Sequence, residues 1–239
     1  MRAQVRKESG RARRMMLEIG QGPYWQGKGL QRISQLMAVA DVQGETRVRD
    51  ELLQLLKNLG AKIETAAAPS DKALCIVAPL GFDVTTVSIV ERLDPARTVG
   101  IDLLIDDSLT KRRVLATNPA TRPDMIAAAH ALFARDGKAV SVIRDSGGFV
   151  TQRVIATIIN IACDICQQGI CSPQDLETAV TLGLGYPQGP LAWGDALGAS
   201  TVLTILQRLQ AHTGDPRYRP SPWLKRRALL GLSLLTDDA

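Results

Sequence analysis

The segment from Asp145 to Gly198 constrains the fold of this chain most strongly. It opens with the nine residues Asp-Ser-Gly-Gly-Phe-Val-Thr-Gln-Arg and closes with the run Gly-Leu-Gly-Tyr-Pro-Gln-Gly-Pro-Leu-Ala-Trp-Gly-Asp-Ala-Leu-Gly. Between them, residues 152–168 carry apolar side chains at helical spacing, which predicts a long helix ended by Gly169. Its apolar stripe is wide, so we expect it to be largely buried. The stripe consists of Val154, Ile155, Ile158, Ile159, Ala162, Ile165 and Cys166.

Before residue 145, short apolar runs alternate with helix-like segments. The runs predict strands at 36–40, 62–65, 73–78, 98–104, 113–116 and 139–143, and the helical spacing predicts helices at 48–59, 85–93 and 123–134. Strands that alternate with crossover helices are typical of a parallel sheet with both faces covered.

After residue 145 the pattern indicates helices only. Ser172 followed by Pro173 is a helix start, in which Asp175 can complete a capping box, and this helix should end near Gly183. A further helix is predicted at 200–211, and the Ser-Pro pair at 221–222 predicts a last one at 223–230. We interpret four residues as shaping the loop between the second and third helices: Pro187, Gly189, Pro190 and Asp195.

Basic residues are concentrated at the start of the chain. Residues 1–33 carry a net charge of +6, so the remainder of this +5 chain is close to neutral. Such a glycine-rich basic arm either binds an acidic partner or is simply solvated, and we do not expect nucleic-acid binding. No apolar run is long enough for a membrane span and no secretion signal follows the basic start, so we expect a cytoplasmic protein without membrane contact.

The cysteines raise the question of a metal site. Cys163, Cys166 and Cys171 are close in sequence, whereas Cys75 is distant. A Cys-x-x-Cys pair occurs in zinc and redox sites, but here it lies within an apolar helical pattern and no fourth ligand can be placed. We therefore expect buried free thiols in a reducing compartment and no metal site.

The two motifs resemble those of the C-terminal helical domain of NAD-dependent 3-hydroxyacyl-CoA dehydrogenases. That family's entry motif is Asp-x-Pro-Gly-Phe-x-x-Asn-Arg, which corresponds to 145–153 here. Its downstream Gly-x-Gly-x-Pro-x-Gly-Pro pattern, with a later Asp and Gly, is intact at Gly183, Gly185, Pro187, Gly189, Pro190, Asp195 and Gly198. The resemblance implies an α/β plus all-α chain: a truncated, Rossmann-like parallel sheet domain at 34–144, then a helical dehydrogenase C-terminal domain at 145–239, after the arm at 1–33.

The resemblance also implies an activity, which is NAD-dependent oxidation of 3-hydroxyacyl-CoA to 3-oxoacyl-CoA, as in fatty-acid β-oxidation. Some members contain a second, reduced module behind a complete one, and residues 7–29 look like the tail of such a preceding module. The resemblance therefore implies a homodimer through the helical domain or pairing with a complete dehydrogenase module, with acyl-CoA as a possible ligand.

The usual dinucleotide site is reduced in this sequence. A Gly-x-Gly-x-x-Gly loop lets backbone N–H groups approach the pyrophosphate. After the strand at 36–40 only Gly44 remains of these glycines, and Glu64 is the only acid near the expected ribose position. We therefore expect that NAD, the cofactor of the family, is not bound by this chain alone.

The residues that carry catalysis in the family are also replaced. By alignment, Asp102 stands in place of the catalytic histidine and Gln152 in place of the asparagine, while the glutamate position falls near Val114 and the serine position near Gly81. Asp102 is a weak candidate base because its ordinary pKa is about 3.9. Of the two histidines, His130 is placed mid-helix and His212 at a helix end, and neither is expected to be catalytic.

Gln152 is the residue most expected to contact substrate, since its amide can still donate to a carbonyl oxygen, with Phe149 and Arg153 beside it. The alternative is that Gln152 caps or solvates the helix start. Three hypotheses follow for the chain. We favour a non-catalytic second module that serves subunit pairing and shapes the substrate cleft. The others are a self-standing dehydrogenase and a non-enzymatic binding module that uses the basic arm.

Overall fold

The computed structural model describes residues 37–39, 46–64 and 69–238, with the side chains of 37–39 and of Thr46 excepted. The predicted arm at 1–33 and the loop that holds Gly44 lie outside these residues. Within the described residues, six strands form one sheet in the order β2-β1-β3-β4-β5-β6. Their bounds are β1 Met37–Val39, β2 Ile63–Glu64, β3 Leu74–Val77, β4 Thr98–Ile101, β5 Arg112–Thr117 and β6 Ala139–Arg144.

The sheet is mixed, and this corrects the prediction that all of its strands are parallel. Four of the five neighbouring pairs are parallel, but β4 and β5 are antiparallel, with Val99 opposite Thr117 and Ile101 opposite Leu115. The connection at 102–111 contains only the 3-10 turn Asp107–Leu109. It is too short to hold the crossover helix that a parallel pair requires.

Arg113 fixes the position of β5. Its guanidinium is almost fully buried and bonds Asp107 on the 3-10 turn and Asp136 beyond the next helix. These bonds hold the pKa of the Asp136 carboxyl at about 2. A buried arginine with two carboxylates satisfies its donors, so the charge can be accommodated in the sheet layer.

Three helices accompany the sheet: α1 Thr46–Asn58, α2 Val84–Val90 and α3 Pro123–Phe133. The predicted spacing in α1 is confirmed, because Val48, Leu52 and Leu56 are buried. Gly60 has φ +69° and ends this helix, as predicted.

Among the described residues after 145 the regular elements are helical, as predicted: α4 Thr151–Gln167, α5 Pro173–Leu184, α6 Pro190–Leu197, α7 Ala199–Thr213 and α8 Pro222–Leu230. The Ser172 hydroxyl caps α5 by accepting from the Asp175 N–H at 3.1 Å, and its O–H donates to the Asp175 carboxylate. α8 begins where predicted, but the Ser221 hydroxyl does not cap it. Instead, the Ser221 N–H donates to the Asn160 side chain of α4 at 2.8 Å.

α6 corrects the prediction that the segment containing Pro190 and Asp195 is a loop. The helix begins at Pro190 and ends at Leu197. The Asp195 carboxylate accepts from the Leu234 N–H at 2.8 Å and from the Ser233 hydroxyl, which ties the chain's C-terminal segment to α6. Gly194 lies against Leu234 and Ile159, and a Cβ at this position would collide with the Leu234 side chain.

α4 is the central helix and packs against α6, α7 and α8. One continuous apolar cluster runs from α1 through β3 and β4 into these helices. The α4 stripe was predicted to be largely buried, and its outer edge is an exception, because Val154 is 50% exposed. The buried face is instead turned toward Ala156, Ile159 and Cys163. In the described part of the chain, no helix is long and apolar enough to cross a lipid bilayer.

Candidate functional site

Asp145, the first residue of the entry motif, caps α2. Its Oδ1 accepts from the Val84 N–H at 2.7 Å, and its Oδ2 accepts from the Thr85 N–H at 2.9 Å and from the Thr85 hydroxyl. Asp83 caps the same helix end by accepting from the Thr86 N–H at 2.7 Å. Two carboxylates at the positive end of one short helix join the sheet layer to the start of the helical part.

Phe149 adopts a backbone conformation that is rare for a residue with a side chain. Its φ is +47°, and the preceding Gly148 has φ +66°. The Phe149 ring is completely buried in a small cluster formed with Val77, Val84, Val87 and Ala116. Burial of a large aromatic side chain offsets the cost of the strained backbone. Phe149 thus anchors the entry motif in the sheet layer.

Gln152 is fully buried, and its side-chain amide is hydrogen-bonded on both sides. Its Oε1 accepts from the Gly81 N–H at 2.8 Å. Its Nε2 donates to the Pro79 carbonyl and to Asp102 Oδ1, each at 3.0 Å. Because one partner is a donor and another a backbone acceptor, the orientation of the amide is fixed. Both N–H groups are used, and neither remains for a substrate oxygen.

Asp102 follows β4 and faces Gln152. Its Oδ1 also accepts from the Leu104 N–H at 3.2 Å, whereas its Oδ2 is buried and accepts no hydrogen bond from the described residues. Burial raises the pKa of Asp102, and hydrogen bonds from Gln152, the Leu104 N–H and Thr151 oppose this shift. An unsatisfied buried oxygen favours the protonated carboxyl.

Gly81 has no room for a side chain. Its φ is +76°, and a Cβ there would lie 2.8 Å from the Arg208 Cβ and 2.9 Å from the Ile205 carbonyl oxygen, both on α7. Arg208 also donates to the Leu80 carbonyl at 2.9 Å and lies 4.7 Å from the centre of the Phe82 ring. Helix α7 therefore packs directly on the segment that contains Gly81, and the family's serine could not be accommodated here.

The structure brings together all four positions that the alignment assigned to the family's catalytic groups. Gly81 and Asp102 both bond Gln152, and the Asp102 N–H donates to the Val114 carbonyl at 3.0 Å. The chemistry of these positions is different, however. The cluster contains one buried carboxyl, one fully engaged amide and no imidazole, so it forms a hydrogen-bonded seam between the sheet layer and α4.

The three residues predicted to contact substrate differ in their exposure to solvent. Gln152 and Phe149 are both 0% exposed, so a ligand could reach them only if the surrounding contacts opened. Arg153 is partly exposed, and its Nε donates to the Phe149 carbonyl at 2.6 Å. Substrate binding by these three residues stays a prediction.

The two histidines lie in α3 and α7. Burial lowers the pKa of His130 in α3. His212, in the last turn of α7, has its Nε2 3.4 Å from Asp83 Oδ2. It therefore contributes to the contact between α7 and the start of α2.

Glu177 precedes the second motif in sequence and is not indicated by any sequence pattern. Its carboxylate, on α5, accepts from the Leu191 N–H at 2.8 Å and the Ala192 N–H at 3.3 Å, and so caps α6. The carboxylate occupies the space where a Cβ of residue 189 would lie, which explains Gly189. A single glutamate on another helix offers no sequence signal, because its role depends on tertiary packing.

Glu64 is the described residue that bears on the dinucleotide cofactor implied by the resemblance. Glu64 ends β2, where an acid would contact a ribose. Its Oε2 already accepts from the Ser70 N–H at 2.8 Å, and its buried Oε1 has no partner among the described atoms. One of the two Glu64 carboxylate oxygens is thus already engaged by the chain's own backbone.

The cysteines lie in packed surroundings. Cys75, Cys163 and Cys166 are buried free thiols, and Cys171 is partly exposed. Burial raises the pKa of the Cys166 thiol to about 11, so it stays protonated at neutral pH. Within the described ranges, no group of three or more His, Cys, Asp or Glu side chains is placed to hold a metal ion.

Comparison with known proteins supports the family resemblance. Residues 148–233 match the model of the 3-hydroxyacyl-CoA dehydrogenase C-terminal domain. This part of the chain is similar to a 3-hydroxyacyl-CoA dehydrogenase C-terminal domain. The match bears out the predicted family resemblance, and the fold class holds apart from the antiparallel β4–β5 pair.

Two curated relatives show the extent of the likeness. The chain is 42% identical to the 3-hydroxyadipyl-CoA dehydrogenase of Escherichia coli over 130 residues, which cover 54% of this chain and 27% of that enzyme. It is 33% identical to a probable 3-hydroxybutyryl-CoA dehydrogenase of Bacillus subtilis over 136 residues, or 55% of this chain and 46% of that enzyme. The chain thus spans less than half the length of these relatives.

Solved structures of the dehydrogenase family share the fold. A 3-hydroxybutyryl-CoA dehydrogenase of Escherichia coli is 35% identical with a TM-score of 0.58, over 65% of this chain and 31% of that one. The (S)-3-hydroxybutyryl-CoA dehydrogenase of Ralstonia eutropha has a TM-score of 0.67 over 89% of this chain and 74% of that one. Its identity is only 20%, so this match shows the fold alone.

Proposed function

We propose that this chain is a non-catalytic second module of a 3-hydroxyacyl-CoA dehydrogenase, which pairs with a helical domain of the same family and shapes an acyl-CoA cleft. In this proposal, residues 34–144 form a reduced Rossmann-like domain and 145–239 the helical domain. The observation that carries the proposal is the closed seam at Gln152, whose amide bonds Gly81, Pro79 and Asp102 and has no donor left for substrate.

The lengths of the relatives support a two-module arrangement. The segment shared with the Escherichia coli 3-hydroxyadipyl-CoA dehydrogenase is 54% of this chain but 27% of that enzyme, so that enzyme is twice as long. A chain of that length has room for a complete catalytic module in addition to one like this. The reaction of the whole protein would then be the oxidation of 3-hydroxyacyl-CoA by NAD, carried out elsewhere.

A turnover assay tests the proposal. The purified 239-residue chain is mixed with NADH and acetoacetyl-CoA, and NADH oxidation is followed by absorbance, with the Bacillus subtilis relative as a positive control. We expect no oxidation above the rate without protein, because the described site contains no imidazole base. Oxidation at a rate comparable with the control would overturn the proposal and direct attention to Asp102.

A further inference from the structure

Strand β6 forms one edge of the described sheet. It pairs with β5 along all six of its residues, and no described backbone or side-chain group bonds the backbone on its other side. In a parallel ladder the backbone groups of a strand point alternately to its two sides, so about half of the β6 N–H and C=O groups point away from the sheet. These groups are satisfied only by water or by a further strand.

The free edge of β6 lacks the features that usually protect a sheet edge. Edge strands are commonly interrupted by a proline, a bulge or an inward-pointing charge. Residues 139–143 read Ala-Val-Ser-Val-Ile, and the register with β5 continues through them without a bulge. Val142 is 38% exposed. The strand at the opposite edge, β2, has only two residues, so β6 is the longer of the two edges of the described sheet.

Packing on both faces of the sheet holds β6 in place. Val140 packs against the main apolar cluster, and Ile143 packs against the small cluster around Phe149. On the Ile143 face, the Arg112 guanidinium of β5 donates to the Ser141 hydroxyl at 2.9 Å. The backbone of the edge is therefore preorganised, which lowers the entropic cost of adding a strand to it.

The charges that border this edge are positive. Arg112 and Arg144 are both exposed, and Arg144 has no hydrogen-bond or ion-pair partner among the described residues. The carboxylates close to β6 in sequence are already engaged, because Asp136 bonds Arg113 and Asp145 caps α2. The edge therefore favours a partner with carboxylates over a neutral or basic one.

A second copy of β6 is a poor occupant of the edge for the same reason. Two copies in antiparallel arrangement would bring Arg144 of each strand beside the Lys138 end of the other. Like charges directly opposite each other destabilise a strand pair, and the two-fold axis would repeat the repulsion at both ends. The edge therefore suits a strand of different sequence.

We propose that the free edge of β6 binds an extended peptide segment of another protein as a further strand, with apolar side chains at alternate positions and a carboxylate beside Arg144. In this mode of recognition main-chain hydrogen bonds supply the affinity and side chains supply the selectivity. The apolar side chains would pack beside Val140 and Val142, which share one face of the strand with Arg144. The inference goes beyond the proposed function, since it assigns a partner to the sheet domain.

Titration with a synthetic peptide tests the proposal. The probe is the capped, fluorescein-labelled heptapeptide Glu-Thr-Val-Thr-Val-Thr-Glu, in which the valines and both glutamates share one face of a strand. A glutamate at each end lets the probe meet Arg144 in either strand direction. We expect saturable binding to the full chain, measured by fluorescence anisotropy. The matched control, Lys-Thr-Val-Thr-Val-Thr-Lys, should bind at least ~10-fold more weakly.

Methylation of the peptide backbone tests the strand geometry without altering the protein. N-methyl groups on the second, fourth and sixth residues remove N–H donors from one edge of the probe, and N-methyl groups on the third and fifth remove them from the other. One of these two peptides should bind as the parent does, and the other should bind at least ~10-fold more weakly. Equal affinities of the two methylated peptides would overturn strand addition.

Charge reversal in the protein tests the role of Arg144. Arg144→Glu should weaken binding of the glutamate-flanked probe about fivefold and should strengthen binding of the lysine-flanked peptide. Lys225→Glu is the matched control, because it makes the same change in net charge at an exposed position on α8 and should leave both affinities unchanged. Circular dichroism should show both variants folded.

Three further results would overturn the proposal. These are no saturation up to millimolar probe, equal effects of Arg144→Glu and Lys225→Glu, and displacement of the probe when the chain dimerises at higher concentration in sedimentation equilibrium. The last result would identify the edge as a site for a second copy. None of these results bears on NADH turnover, so the proposed lack of catalysis is tested separately.

Discussion

The Gln152 side-chain oxygen accepts a hydrogen bond from the Gly81 N–H at 2.8 Å, although the two residues are far apart in sequence. This contact joins α4 to the loop after β3 at the position where the family resemblance places a substrate-binding asparagine. Gly81 has no room for a Cβ. The glycine and the glutamine, which stand at the positions of the family's serine and asparagine, therefore fit together in one packed contact. The amide that would meet a substrate oxygen instead closes the seam between the sheet layer and the helices.

Replacement of Gln152 by alanine should be strongly destabilising. It leaves the Gly81 N–H, the Pro79 carbonyl and Asp102 Oδ1 without their partner in a buried site. We expect a loss of about 2–4 kcal/mol in the free energy of unfolding, measured by urea denaturation. Gln168→Ala, at the exposed end of α4, should change it by less than about 0.5 kcal/mol. Equal losses of stability at both positions would contradict the role of Gln152 in joining α4 to the sheet layer.

Asp102 should make stability depend on pH in a defined direction. Its pKa is raised in the folded protein, so the folded state binds this proton more tightly than the unfolded chain. The resulting stabilisation is complete below the ordinary value of 3.8 and is lost as the pH rises through the folded value. Asp102→Asn should therefore gain stability relative to wild type between pH 4 and pH 7. Urea denaturation at both pH values measures this difference, and a difference independent of pH would contradict the account.

Asp145 should contribute through its cap on α2. Asp145→Ala removes acceptors for the Val84 N–H, the Thr85 N–H and the Thr85 hydroxyl, and we expect a loss of about 2 kcal/mol. Asp145→Asn keeps an acceptor and should lose less. Asp71→Ala is the control for lost charge, because Asp71 is exposed. Thermal or urea unfolding measures the loss of stability in each variant. If Asp71→Ala lost as much stability as Asp145→Ala, the effect would be due to net charge rather than to the cap.

Glu177 and Gly189 should be energetically coupled. Gly189→Ala places a Cβ in the space of the Glu177 carboxylate, and we expect a cost of about 1–3 kcal/mol. Glu177→Ala removes the α6 cap at a cost of about 1 kcal/mol. In the Glu177→Ala background the cost of the alanine at 189 should shrink, since the colliding group is gone. A double-mutant cycle of unfolding free energies measures this coupling, and simple additivity would contradict the packing described here.

Local patterns predicted most of the elements, and tertiary contacts account for the rest. The spacing of apolar residues located α1 and α4, because a buried face repeats along one helix. The sequence did not predict α6, because its cap, Glu177, comes from another helix and leaves no local signal. The antiparallel direction of β5 depends on a short connection and on the buried Arg113 network rather than on the strand itself.

The sequence predicted which residues of the candidate site lie together, but it did not predict their hydrogen-bond partners. The family motif placed Gln152 and Asp102 in one region, and their 3.0 Å hydrogen bond agrees with that alignment. The Pro79 carbonyl that takes the other amide proton is a backbone group, and any residue type would offer it. Whether an amide faces substrate or backbone is therefore decided by packing rather than by residue identity.

Titration of the purified chain with NADH, followed by cofactor fluorescence, tests most directly the claim that the fold is kept without its cofactor site. The account predicts no saturable binding up to millimolar NADH, because the glycine loop is reduced to Gly44 and Glu64 is already bonded to Ser70. Saturable binding at micromolar NADH would contradict it and would mean that this chain retains a working dinucleotide site.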